Sequence, residues 1–259
     1  MKKISFGLPV EIDEQTGKLT FGEEVLCQKT AAKTFAGMKH LAYDEHEAPD
    51  DHVCYVFYQN IWRKADAPLF EKTKITNGIT VLMPGLMGHE CHKNSGHYHS
   101  VESHCEPLPE IYEVLCGKAV FLLQQTHDFL DESKPLPVER FQAVFAGEGE
   151  KVFVPPYTAH CIVNVGDGPM AFGNMAVPSK TLFYEPIARM HGFGMYVLKL
   201  DDQLIFVPNT RYAKLPLAEV GCAVERPDLG LTFDKPLYTA LMEAPDTFAY
   251  LGDSNLIQK

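Results

Sequence analysis

A rhythm of short apolar runs, each closed by glycine or proline, constrains this chain most. Ile79-Thr80-Val81-Leu82-Met83 stops at Pro84-Gly85, residues 111–115 break at Gly117, and residues 119–124 follow. Ala146-Gly147-Glu148-Gly149 turns ahead of Val152-Phe153-Val154, residues 160–165 end at Gly166-Asp167-Gly168, and residues 170–177 end at Pro178. A hairpin of residues 195–200 and 204–207 closes the series around Asp201-Asp202. Runs this short, rich in β-branched and aromatic residues and almost free of helical period, predict strands that close into a barrel or a double-sheet jelly roll. Upstream, residues 53–62 read as a strand, Asp13 to Gly17 as a turn between residues 10–12 and 19–21, and Asn77-Gly78 as a turn. Residues 31–41 are expected to form a short helix. The one good helix is predicted from Asp234, as its cap, through Pro236 in the first turn to about Ala244.

Gly96-His97-Tyr98-His99 sits inside this frame. Alternate side chains of a strand share a face, so His97 and His99 project together about 7 Å apart. Two imidazoles so placed can grip one metal ion. A lone histidine would be read as a core residue, but Glu110 on the next strand and His160 on a later one make a set of four, and that set favours a metal site. His40, His46 and His52 lie in or beside polar segments and are expected to be exposed. His89 and His92, three apart, would point to opposite faces of a strand and are read as solvent-side or loop residues.

Length and charge bound the function. A chain of 259 residues fits one domain with extensions, and 46% hydrophobic residues exclude global disorder. The net charge is −11 and no basic stripe occurs, which argues against nucleic acid as a partner. An anionic substrate would then need local positive charge from a metal or from backbone N–H groups. Lys93 and Lys118, the nearest cations to the histidine motif, are read as solvated. Residues 4–10, interrupted by Gly7 and Pro9, are too short for a signal segment, and no run reaches the roughly 18 apolar residues of a membrane span. The seven cysteines contain no C-x-x-C pair and read as reduced thiols. A cytoplasmic protein without a membrane partner is expected.

Three stretches carry a family resemblance: Gly96-His97-Tyr98-His99, then Pro109-Glu110-Ile111-Tyr112-Glu113-Val114-Leu115-Cys116-Gly117-Lys118-Ala119, then Val154-Pro155-Pro156-Tyr157-Thr158-Ala159-His160 with Asn164-Val165-Gly166-Asp167-Gly168-Pro169. Together they resemble the cupin-type, archaeal-type glucose-6-phosphate isomerases. The resemblance covers about residues 1–212 and leaves a C-terminal extension that the short archaeal members lack. It implies an all-β cupin, a double-stranded β-helix jelly-roll barrel. Within a single domain, residues 1–75 would be N-terminal strands and an arm, 76–212 the barrel, and 213–259 an extension with a short helix.

The resemblance also implies a site. His97, His99, Glu110 and His160 would hold one divalent metal ion per subunit, and this donor set suits Fe, Mn, Ni or Zn. Thr80, Asn94, Gly96 and Tyr112 would bind the substrate's phosphate, with Gly96 letting the backbone approach the ligand closely. Glu110 would be the catalytic base and Tyr157 a proton relay. Against the family's spacing, residues 100–108 would be a longer hairpin, and Glu106 is an alternative to Glu110 by a register shift, although the Glu-Ile-Tyr context favours Glu110. Two family positions on the late strands, a tyrosine and a histidine, fall on Ala176 and Leu182, with Tyr184 nearby. The implied activity is metal-dependent interconversion of glucose 6-phosphate and fructose 6-phosphate by a homodimer. The alternatives are a cupin isomerase of another sugar or sugar phosphate, and a non-catalytic metal-dependent sugar-binding cupin.

Overall fold

The computed structural model describes residues 1–46, 48–99, 107–131, 135–178 and 182–257. Glu102, His104 and Glu106 lie outside the described residues. Two sheets face one another. The larger has six strands in the order Lys151–Val154, Glu110–Cys116, Met170–Ala176, Thr76–Leu82, Val53–Arg63 and Val25–Thr34, all antiparallel. The smaller has four, in the order Thr158–Asn164, Lys118–Gln125, Arg140–Gly147 and Glu219–Cys222, the last joining in parallel. The architecture is an all-β cupin barrel.

Strand alternation builds the core. Tyr112, Val114, Phe172 and Leu82 of the larger sheet meet Phe121, Leu123 and Ile162 of the smaller one inside the barrel. The residues between them point outward and are also buried. Ile79, Val81, Ile111 and Met175 lie under the N-terminal residues Ile4, Phe6, Val10 and Ile12 and under Leu237, Tyr238 and Leu241. Val120, Leu122, Phe141 and Cys161 lie under a second outer layer that includes Phe35, Met38 and Val197. Both faces being covered explains why Glu110–Cys116 and Thr158–Asn164 are buried at every position.

Several expectations give way. Residues 31–34 complete a strand, Val25–Thr34, and Phe35–Gly37 and Lys39–Leu41 are 3-10 turns rather than one helix. Pairing with the aromatic-rich strand Val53–Arg63 overrides the weak helical preference of that segment. Asn77-Gly78 is not a turn but lies within Thr76–Leu82, because neighbours on both sides pair with it. The late helix runs Leu237–Glu243, and Asp234 does not cap it; the Leu237 amide donates instead to Glu113 Oε2 at 2.7 Å. The larger sheet takes strands from both sides of residue 75, and the smaller takes strands from both sides of residue 212. Among the described residues no helix is long and apolar enough to cross a membrane.

Candidate metal centre

The site opens inside the barrel between the two sheets. Tyr98–His99 pairs with Leu182–Phe183, and His97 makes an isolated antiparallel bridge to His160, whose amide donates to the His97 carbonyl at 3.3 Å. Tyr98 points away, stacked on Phe129 with ring centres 4.5 Å apart, so His97 and His99 both face inward. Their ring centres are 5.5 Å apart and lie 4.6 and 5.4 Å from that of His160. Glu110 enters from the opposite sheet. One ligand atom from each of the four lies within 4.8 Å of the others.

The hydrogen bonds prepare these atoms for a cation. His99 Nδ1 is 2.8 Å from the Leu108 carbonyl, which can only accept, so Nδ1 carries a proton and Nε2 faces the cluster. His160 repeats this more loosely, with Nδ1 3.4 Å from the Thr158 carbonyl. Glu110 Oε2 lies 2.9 Å from His99 Nε2 and 3.2 Å from His160 Nε2, and Oε1 accepts the Asn174 side-chain amide at 2.7 Å. His160 Nε2 is fully buried and has no hydrogen-bond partner among the described residues. An orphaned ring nitrogen aimed at two more imidazoles and a carboxylate fits a bound divalent metal.

Electrostatics agree. Burial, with His160 and His99 close by, holds His97 well below the usual imidazole range, in the neutral form that ligates. Burial would raise Glu110, but the imidazoles of His160 and His99 set against its Oε2 hold it well below the usual carboxylate range. Burial pulls His99 down while the Glu110 contact pulls it up, and the contact prevails. The cluster thus gathers a carboxylate and a set of lone pairs that a shared cation would satisfy.

A cavity of about 470 Å³ leads to the cluster. Of the residues assigned from sequence, His97, His99, Glu110, Thr80, Asn94, Gly96 and Tyr112 line it, and His160 sits beneath. Tyr157 does not line it. Its left-handed backbone (φ 61°), following two prolines, turns the ring onto His127, with centres 4.5 Å apart. Tyr184 stands in the cavity instead, its ring 5.2 Å from that of His97, beside Ala176 and Leu182.

Gly96 has a reason other than ligand approach. Its φ is 67°, and a Cβ there would lie 2.2 Å from Phe193 Cε2 and 3.0 Å from the His160 carbonyl oxygen. Asn94 is partly committed to the fold, its Oδ1 accepting the Ile162 amide at 2.8 Å. Lys93 is not solvated: it is 5% exposed, ion-paired with buried Glu90, and donates to the Leu41 carbonyl at 2.8 Å. His92 is buried too, its ring stacked on that of His52 with Nε2 atoms 2.7 Å apart. Tyr55, Ser95 and Asn174 were missed as lining residues. A lone amide in the apolar run Met170-Ala171-Phe172-Gly173-Asn174-Met175-Ala176 was the available signal for Asn174.

Known proteins place the chain. A family model described as glucose-6-phosphate isomerase (GPI) matches residues 29–213. The glucose-6-phosphate isomerase of Thermococcus onnurineus is 32% identical over 203 residues, 78% of this chain and 95% of the relative. That of Pyrococcus abyssi is 28% identical over 205 residues, 79% and 96% of the two chains, and that of Pyrococcus furiosus 28% over 214 residues, 83% and 100%. Among solved structures, an oxalate oxidase superposes on 47% of this chain and 50% of its own, at 16% identity and a TM-score of 0.33. With the matched residues spanning the barrel and all four clustered side chains, the chain belongs to the glucose-6-phosphate isomerase family.

Proposed function

We propose that this chain interconverts glucose 6-phosphate and fructose 6-phosphate in its barrel cavity, through an enediol-type intermediate. The observation that carries the reading is Glu110, which lines the cavity, sets Oε2 against the imidazoles of His99 and His160, and offers Oε1 to Asn174 on the cavity wall. His97, His99, Glu110 and His160 would hold one divalent ion, Fe, Mn, Ni or Zn. Bound there, it supplies electrophilic stabilisation of the charge that develops on the two sugar oxygens.

The chain's own residues do the rest. Thr80, Asn94, Gly96 and Tyr112 hold the phosphate end. Glu110 takes the proton from C2 of the open-chain aldose and returns it to C1, while the O2 hydroxyl proton passes to O1. Tyr112, whose phenol burial keeps neutral, donates its hydroxyl at the phosphate end, while Tyr184, with its ring 5.2 Å from that of His97, borders the reacting end as a hydroxyl donor. Tyr157 has no part in this reading, because its ring lies outside the cavity. The protein would work as a cytoplasmic homodimer, with residues 76–212 carrying the reaction.

The test is reconstitution. Protein stripped of metal and reloaded with Fe, Mn, Ni or Zn should form glucose 6-phosphate from fructose 6-phosphate, and no turnover with any ion overturns the proposal. Thr80→Ala should raise KM for fructose 6-phosphate about tenfold, the size of a lost hydrogen bond to a charged group. Unchanged KM would remove Thr80 from the phosphate site.

A further inference from the structure

Asn174 stands on the strand Met170–Ala176, next to the strand that carries Glu110. The register sets Asn174 opposite Tyr112 on one side and opposite Gly78 on the other. Asn174 is therefore diagonal to Glu110 on the inner face, within reach of a long side chain. Its amide Nδ2 lies 2.7 Å from Glu110 Oε1. Gly78 makes room for it: a Cβ at that position would stand 3.0 Å from Asn174 Oδ1 and 2.9 Å from the Tyr58 carbonyl oxygen. A polar side chain in an apolar strand, bonded to the carboxylate of the cluster and with a glycine leaving space beside it, is a built contact.

We propose that Asn174 is a positioning residue that gives the two oxygens of Glu110 different tasks, keeping Oε2 with the imidazoles and Oε1 toward the substrate as proton acceptor. This rests on the isomerase reading above. The terminal torsion of a glutamate is broad, so an untethered carboxylate can present both oxygens to a cation and leave neither for a proton. One hydrogen bond to a charged oxygen stops that rotation. Oε1 keeps acceptor capacity, because a carboxylate oxygen accepts more than one bond. In the step, Oε1 takes the C2 proton, the C–H electron pair becomes the C1–C2 double bond, and the carbonyl π pair moves onto O1. The O2 proton then passes to O1, C2 becomes the carbonyl, and Oε1 delivers its proton to C1.

Asn174→Ala and Asn174→Asp test this, with kcat and KM measured on fructose 6-phosphate and Mn(II) binding to the stripped proteins measured by calorimetry. In Asn174→Ala, kcat should fall about tenfold to a hundredfold, the cost of a misplaced catalytic group. KM should stay within about twofold and Mn(II) affinity should be unchanged or tighter, since the hydrogen bond serves orientation rather than binding. Asn174→Asp keeps the shape, so it preserves packing if the alanine variant does not fold. It removes the N–H and sets a second carboxylate against Oε1, and its kcat should fall further. A wild-type protein without turnover sinks the isomerase reading. An active wild type with Asn174→Ala at full kcat, or a loss confined to KM or to Mn(II) affinity, overturns the assignment to Asn174 alone.

Discussion

The centre depends on which ring nitrogen each histidine turns inward. His99 is the best held, because its Nδ1 is bonded to the Leu108 carbonyl and its Nε2 has no choice but the cluster. His99→Ala should weaken metal binding by more than about a hundredfold, since even the partners of ligands cost 10–100-fold when lost. Competition against a chelator of known affinity measures it; binding within a factor of ten of wild type would mean His99 is not a ligand. Gly96 is equally constrained from the other side. Gly96→Ala would force a Cβ into the Phe193 ring at a positive φ, and should cost about 2–4 kcal/mol in a denaturant titration.

Among the elements, the C-terminal helix is tied to the barrel by a residue far from it in sequence. Glu113 accepts the Leu237 amide with Oε2 and faces buried Lys151 at 3.4 Å with Oε1. Burial pushes the Glu113 carboxyl up to about 7, although Lys151 and the Leu237 amide pull it down. The folded state thus keeps a proton on Glu113 up to about pH 7, while the unfolded chain releases it near pH 4.5. The stability from this group is full below about pH 4.5 and is lost as pH rises through 7, by on the order of 3 kcal/mol. Glu113→Gln keeps an acceptor for Leu237 and removes the titration. Melting temperature plotted against pH between 5 and 8 should slope less steeply downward in the variant than in wild type, and parallel curves would refute the linkage.

Over the whole molecule, a metal binding between two sheets should act as a staple. His97, His99 and His160 come with one side of the barrel and Glu110 with the other, so a bound ion ties the two sides together. A ligand present at a thousand times its Kd stabilises by about 4 kcal/mol. For a chain of this size that is roughly 10 °C in melting temperature. Calorimetry with and without a chelator should show a shift of that order, and coincident curves would mean the site does not hold an ion. The proposed homodimer belongs to this scale as well. Light scattering at micromolar concentration should give twice the chain mass, and a monomer would remove the dimer from the proposal.

The sequence by itself determined many of the barrel strands and the four clustered side chains. Residues 195–200, for example, are the strand Met195–Leu200, and the predicted 119–124 extends by one residue at each end to Lys118–Gln125. Alternation of side chains and Gly/Pro turn chemistry are local, so they can be read from neighbouring residues. Which strands lie beside which is not local. Only the tertiary structure placed Asn174 against Glu110, 64 residues away, turned Tyr157 out of the cavity, buried Lys93 with Glu90, and capped the late helix with Glu113 from 124 residues upstream. Each of these depends on the register between distant strands and on what covers the outer faces. A residue's near neighbours in sequence carry neither.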